Sequence, residues 1–428
     1  MTSAHTGLAP TRQVLSNGAV VIAKQSGMTP AVTMTVGVRA GSLHDPDERL
    51  GLTHLLTKVL DRGTSTRSAE QIADELDGRG VTLSISTTRH VLSLSCTCLA
   101  DDFERVLELL GDVVMHPVFP DAEIETRRGE VVTSIRQDED NPAVMALETL
   151  FALLYPNGHP YGRHAKGTLE TVKRIDRQAL AAFHGALVVP SSLSLVVVGD
   201  VEVPWAVEAA SKVFGSWSGP AAEPDVVPPV RQGPSRRRTA VPMTGKSQAD
   251  IAYGFTTITR ADPAYHAVVL MNNVLGQYAL GGRLGSSIRE KQGMAYYAFS
   301  AFDANVGEGP LVIRAGVSPA NVDRALASID EEVAVMASGG VTEREMEDSK
   351  LYLVGSMPRM LETNAGIATF LQNAESFGLG LDYDVRLPGL IQAVTRDEVN
   401  AVARRFLDPG RAAVVVAGPY EPQEELSA

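Results

Sequence analysis

Cysteine is nearly absent from this chain, with two in 428 residues. Cys96 and Cys98 lie two apart in an alternating segment and share one face of a strand. A disulfide between them is geometrically awkward, and two thiolates without other ligands make a poor zinc site. A disulfide-stapled secreted scaffold is excluded; reduced core thiols in a cytoplasmic protein are expected. Positive charge is short as well. The formal net charge of −13 argues against a general nucleic-acid binder, which would be basic. No uninterrupted apolar run reaches membrane-helix length. Met1-Thr2-Ser3-Ala4-His5 has neither the basic start nor the apolar segment of a secretory signal. Neither nucleic acid nor membrane is therefore expected as a partner. What is present is an ordinary globular composition, on a chain long enough for two domains of roughly 200 residues each.

The most informative stretch is 51–63. Leu52, Leu55, Leu56, Val59 and Leu60 recur three or four apart, which predicts one amphipathic helix. It follows a turn-like Asp45-Pro46-Asp47-Glu48-Arg49 and stops at Gly63. The inverted zinc motif H-x-x-E-H sets two imidazoles one helical turn apart with a carboxylate beside them. Here His54 holds the first position, Thr57 stands at the Glu position and Lys58 at the second His. An ammonium has no lone pair for a metal, and a threonine hydroxyl does not take a proton from bound water near neutral pH. Taken alone, the stretch reads as an ordinary helix with His54 at its polar edge.

Along the chain, strands are expected at 14–15, 19–23 and 31–38, then a helix from 68 capped by Ser68 and Gln71. Residues 81–99 alternate as two strands around Thr88-Arg89-His90. Helices follow at 103–115, 121–135 and 142–154, and a buried strand at 193–198. From 215 to 242 prolines and glycines are interspersed with the basic run Arg236-Arg237-Arg238. That texture marks a linker. The second half then repeats the first at offsets of roughly 213–222 residues. Residues 249–255 read as a strand and 263–275 as a helix. Gly293-Met294-Ala295-Tyr296-Tyr297-Ala298 stands where residues 80–85 stood, 321–326 repeats 102–107, 341–346 resembles 119–124, and 414–418 echoes 196–199. The predicted architecture is α+β. It has two homologous domains, each a mainly antiparallel sheet with helices packed on one face, spanning 1–218 and 244–428 and joined by a linker at 219–243.

On these residues the chain resembles the pitrilysin/insulinase family of inverted-motif zinc peptidases, in its two-domain, mitochondrial-processing-type branch. Val38-Arg39-Ala40-Gly41-Ser42-Leu43 is similar to the family's approach to its zinc helix. Gly51-Leu52-Thr53-His54-Leu55-Leu56 and Arg62-Gly63-Thr64 frame the motif, and Asn157-Gly158-His159-Pro160-Tyr161-Gly162-Arg163 followed by Gly167-Thr168 is similar to the family's histidine-proline loop. The third zinc ligand of the family is a Glu on a later helix; counting 76 or 77 residues on from Lys58 lands on Ser134-Ile135, with Ser134 at the ligand position. Glu130 and Glu139 are nearby but out of register. Thr57, Lys58 and Ser134 thus depart at the metal site, and no metal or other cofactor is expected in this chain. Gly281-Gly282-Arg283-Leu284-Gly285-Ser286-Ser287-Ile288-Arg289-Glu290-Lys291-Gln292-Gly293-Met294-Ala295-Tyr296 is similar to the family's C-domain signature, whose functional Arg and Tyr match Arg289 and Tyr296. The resemblance implies that Arg289 grips peptide carbonyls or a carboxylate. It further implies that Tyr296 donates to the oxygen that gains charge, and that Gly281 and Gly282 let backbone approach an extended peptide. Read without the resemblance, Arg289 is one of several solvated helix charges and Tyr296 a strand core residue beside Tyr297.

The resemblance implies a non-catalytic Arg/Tyr subunit that binds peptide opposite a homologous chain with an intact inverted motif and its zinc. The alternative is an inert scaffold of the same fold, as in the core subunits of the respiratory bc1 complex. A self-sufficient enzyme of another kind is disfavoured, since no nucleophile elbow, phosphate loop or Cys/His pairing is present. His44, His90, His116, His184 and His266 are scattered without metal spacing, and His159 and His164 flank a structural loop.

Overall fold

The computed structural model describes residues 7–231, 233, 235–277 and 281–421. The N-terminal stretch read for a secretory signal, and Pro234 of the linker, lie outside the described residues. The chain divides into two compact units that are not continuous in sequence. One comprises the chain up to Ile135 with His164–Asp225 and Ser356–Arg386; the other comprises Arg136–Arg163, Val226–Gly355 and the chain from Leu387 on.

The first unit is built on six strands: β1 (Thr11–Val14), β2 (Val20–Gln25), β3 (Ala31–Val38), β4 (Ser84–Thr87), β5 (Leu92–Leu99) and β6 (Leu193–Gly199). Their order is β1-β2-β6-β3-β5-β4, and every neighbouring pair is antiparallel except β2 with β6. Alternation in β3 sends Val32, Met34, Val36 and Val38 into the core, all fully buried. That core is shared with the Leu52–Val59, Phe103–Met115 and Val203–Phe214 helices. The polar face of β3 is buried as well. Thr33 and Thr35 bond across to Thr97 and Ser95 at 2.8 and 3.3 Å, and the Asn364–Ser376 helix lies over β3 and β6. Gly37 leaves room there for the Gln372 amide, which a Cβ would meet at 2.4 Å and which donates to Ser194 Oγ at 2.6 Å.

The second unit holds β7 (Arg237–Pro242), β8 (Ala249–Thr256), β9 (Ala295–Phe302), β10 (Pro310–Val317) and β11 (Ala413–Gly418), in the order β7-β11-β8-β10-β9. This repeats the first sheet without β1, down to its one parallel pair, β7 with β11. Its far face carries the Pro142–Leu154 helix, which packs on β8 and β11 with Leu150 and Leu154 against Gly254. The end of the stretch read as linker is therefore a strand. Its basic run is anchored: Arg236 pairs with Asp330 at 2.8 Å, Arg237 donates to the Leu153 carbonyl and Arg238 bonds to Tyr420. Among the described residues no helix is long and apolar enough to cross a membrane.

Candidate functional site

In the first unit the Leu52–Val59 helix is set by its entry. Gly51 adopts φ +88°, the left-handed region that glycine enters freely; a Cβ there would lie 2.3 Å from the Lys166 carbonyl oxygen. The Asp45 carboxylate accepts from the Gly51 and Thr53 N–H groups at 2.9 and 3.0 Å and from the Thr53 hydroxyl at 2.5 Å. Burial pushes the Asp45 carboxyl up to about 6 against the opposing pull of those bonds. Leu52, Leu55, Leu56, Val59 and Leu60 face the core. His54 and Lys58, one turn apart, form the other stripe, with His54 half-buried and Lys58 exposed.

Thr57 is buried and its hydroxyl donates to the His54 carbonyl at 2.7 Å, a back-bond that a helical threonine makes when nothing else claims it. Ser134, half-buried on the Asp121–Glu139 helix, accepts from Lys166 Nζ at 3.1 Å. Glu130 is exposed and pairs with Arg127 at 2.5 Å, and Glu139 is exposed. The four positions thus supply one imidazole, two hydroxyls and an ammonium, with a second ammonium on Ser134. This set does not fit a zinc ion, which takes several anionic or imidazole donors at close range. Among the described residues no group of three or more His, Cys, Asp or Glu is placed to hold a metal.

Residues that spacing left scattered do meet elsewhere in this unit. His44 Nε2 and His90 Nδ1 converge on Asp225, at 3.1 and 2.5 Å from its two carboxylate oxygens. The separations, 181 and 135 residues along the chain, are far beyond any local motif. Lys166 was equally hidden, because it stands in a turn and its partner Ser134 lies 32 residues earlier, on the Asp121–Glu139 helix.

In the second unit the His159 loop is structural. Tyr161 N–H donates to His159 Nδ1 at 3.1 Å, so Nε2 carries the proton and donates to the Pro228 carbonyl at 2.9 Å. The Arg/Tyr segment behaves differently. The Tyr265–Asn272 helix widens into π-type turns at Asn273–Gln277, and a second π-type stretch spans Gly285–Lys291. Gly282 is buried, and its missing Cβ makes room for Gly276, whose Cα would lie 2.8 Å from it. The close approach is thus made by the chain's own backbone, where the sequence suggested a bound peptide. Gly281 is exposed. Arg289 stands exposed on the last turn, and its carbonyl accepts from Gly293 N–H at 3.1 Å. Gly293, at φ +60°, then turns the chain into β9, the edge strand.

Tyr296, the second residue of that strand, is 70% exposed, the highest value of any aromatic side chain among the exposed large hydrophobics. Among the described residues neither Arg289 nor the Tyr296 phenol has a hydrogen-bond or ion-pair partner within the fold. Its neighbour is the opposite. Tyr297 donates to Asp250, and burial together with that carboxylate pushes its phenol upward. Of two adjacent tyrosines, Tyr297 is the structural one and Tyr296 is offered to solvent. Arg289 also lines a groove of about 450 Å³ with Gln277 and residues 297–301 of β9. A guanidinium fork beside an edge strand is suited to an extended peptide, the fork for its carbonyls and the edge for its backbone; Tyr296 is not among the residues that line this groove.

Comparison with known proteins identifies the family. The profile of the insulinase family, peptidase family M16, matches residues 20–168, and that of the peptidase M16 inactive domain matches 174–353. An uncharacterized zinc protease of Mycobacterium tuberculosis is 29% identical over 98% of this chain and 95% of its own length. The beta subunit of the mitochondrial-processing peptidase of Bos taurus is 26% identical over 95% of this chain and 84% of its own. The crystal structure of a peptidase M16 inactive domain from Pseudomonas fluorescens superposes with a TM-score of 0.91 at 25% identity, covering 98% of this chain and all of that one. By sequence profile along both halves and by fold throughout, the chain belongs to the pitrilysin/insulinase family, peptidase family M16.

Proposed function

We propose that this chain is the non-catalytic Arg/Tyr subunit of a two-chain zinc metallopeptidase. The observation that carries the reading is a contrast. The side chains at the metal positions are spent on internal bonds, Thr57 on a helix carbonyl and Ser134 on Lys166, whereas Arg289 and Tyr296 stand exposed. A back-bonded hydroxyl and one that holds an ammonium do not make zinc ligands of the family's kind, and the exposed fork and phenol keep their donors open to a peptide. Arg289 holds peptide carbonyls or a carboxylate. Tyr296 donates to the oxygen that becomes charged during hydrolysis, a contribution made in the transition state and not in substrate binding. Zinc, its water and the general base belong to a homologous chain with an intact inverted motif. Cys96 and Cys98, both unpaired and buried, agree with a cytoplasmic setting.

The test is a reconstitution. The chain alone is expected to hold no zinc after dialysis and to leave a fluorogenic peptide intact; mixed with an inverted-motif homologue from the same organism, it raises hydrolysis above that of the homologue alone. Stoichiometric zinc and unaided digestion by the single chain would sink the reading.

A further inference from the structure

The Ser134–Lys166 contact says more than that a ligand is missing. The Lys166 carbonyl oxygen stands against Gly51, where the Leu52–Val59 helix begins, and the Lys166 ammonium donates to Ser134. Lys166 thus delivers a positive charge to the side chain that stands at the third ligand position, from a residue that also abuts the start of the helix carrying His54. It does so from a fixed base, because Gly167, at φ +79°, would carry a Cβ only 2.1 Å from the Leu50 carbonyl oxygen, and Thr171 donates to that same oxygen at 2.8 Å.

We infer that Lys166 is a built-in cation that replaces the metal at this site, tethered by Ser134, so that the site is closed to zinc by charge as well as by loss of ligands. This rests on the reading that the helix has given up its metal, and it goes beyond it: restoring the three lost side chains is not enough to restore binding. An ammonium and a divalent ion competing for the same oxygen exclude each other, because either desolvates and repels the other at contact distance. Lys58, exposed on the same helix, adds a second like charge, and it is removed in the restored triple.

The experiment uses the full chain, stripped of metal and titrated with zinc by calorimetry. The triple variant Thr57→Glu, Lys58→His, Ser134→Glu is compared with the quadruple that adds Lys166→Met. At least tenfold tighter zinc binding by the quadruple is expected. Equal affinity, tighter binding by the triple, or no binding by either while circular dichroism shows both folded overturns the inference. Should the triple fail to fold, Ser134→Glu, Lys166→Met and the double variant are compared by urea unfolding. A tethered ammonium predicts that Ser134→Glu raises the midpoint with Lys166 present and lowers it with Lys166→Met; an equal effect in both backgrounds overturns the inference. Stoichiometric zinc on the unsubstituted chain would instead refute the reading underneath it.

Discussion

His90 Nδ1 lies 2.5 Å from one carboxylate oxygen of Asp225, and His44 Nε2 lies 3.1 Å from the other. The Asp225 side chain is 6% exposed, and it fastens the first residues of the Pro-rich stretch to the loops that carry the two histidines. Burial alone would push the carboxyl up, but the bonds from His44 and His90 together outweigh it and hold Asp225 well below the usual carboxylate range. A carboxyl whose folded pKa is depressed stabilises the fold above its unfolded value near 4. That contribution fades as pH falls toward the folded one. Asp225→Asn is expected to lower stability at pH 7 by about 1–3 kcal/mol, with the gap to the parent narrowing below about pH 4. Urea unfolding at pH 7 and pH 3 measures both; equal stability at pH 7 would show that the histidines hold nothing.

Asp45 has the opposite linkage. Its carboxyl is raised to about 6 chiefly by burial, so between about pH 4 and 6 the folded chain binds more protons than the unfolded one, and stability falls as pH rises through that window. Asp45→Asn removes the titration but gives up one acceptor, because an amide nitrogen cannot take the bond that Oδ2 receives from Gly51. The variant is expected to be less stable than the parent by about 1 kcal/mol at pH 4 and to draw level or pass it at pH 7.5, a relative change on the order of 2–3 kcal/mol. A constant difference across that range would mean that Asp45 keeps its charge at no expense.

How much of this was legible beforehand follows from sequence separation. The Leu52–Val59 helix, the β4–β5 hairpin and the repeat of the first sheet in the second are written in local periods and turns, and they were readable. β7 was not. Arg237–Pro242 sits among prolines and pairs only with β11, a parallel partner more than 170 residues away. Nor does any local pattern assign the Pro142–Leu154 helix to the second unit or the Asn364–Ser376 helix to the first; such an exchange is encoded only in which surfaces fit. Arg289 and Tyr296 were singled out through a contiguous motif. Lys166, by contrast, bonds to Ser134 32 residues earlier, and Asp225 to histidines more than 130 residues distant, so no spacing rule reaches them.

The glycines around the π-type turns separate packing from freedom. A Cβ on Gly282 would meet Gly276 Cα at 2.8 Å and its nitrogen at 3.1 Å, and a Cβ on Gly276 would meet Ser300 N at 2.6 Å. These are backbone atoms and cannot rotate away. Gly282→Ala is therefore expected to destabilise by about 1–3 kcal/mol through overpacking. Gly129, inside the Asp121–Glu139 helix, has nothing within 4 Å of its Cβ position, so Gly129→Ala should stabilise by roughly 0.5–1 kcal/mol through helix propensity alone. Melting curves for the two variants decide it; a Gly282→Ala chain as stable as the parent would mean that these turns are loosely packed.

Arg289, Tyr296 and Tyr297 permit the sharpest separation of binding from folding. The first two are exposed and bonded to nothing in the described fold, so Arg289→Ala and Tyr296→Phe should each change stability by less than about 0.5 kcal/mol. Tyr297→Phe strips Asp250 of its phenol and leaves a buried carboxylate short of a donor, at a loss of about 1–3 kcal/mol. In the reconstituted complex the order reverses. On the proposed role Tyr296→Phe removes the donor to developing charge, so kcat should fall on the order of 10²-fold with KM little changed. Arg289→Lys should not rescue Arg289→Ala, because a point ammonium lacks the planar fork that engages two oxygens at once. Tyr297→Phe, compared at a temperature where it remains folded, should retain nearly the parent rate. Steady-state kinetics on the complex, read beside the melting curves, distinguish the alternatives. If Tyr296→Phe and Arg289→Ala both leave kcat untouched, the exposed pair serves no reaction and the chain is a scaffold of the same fold.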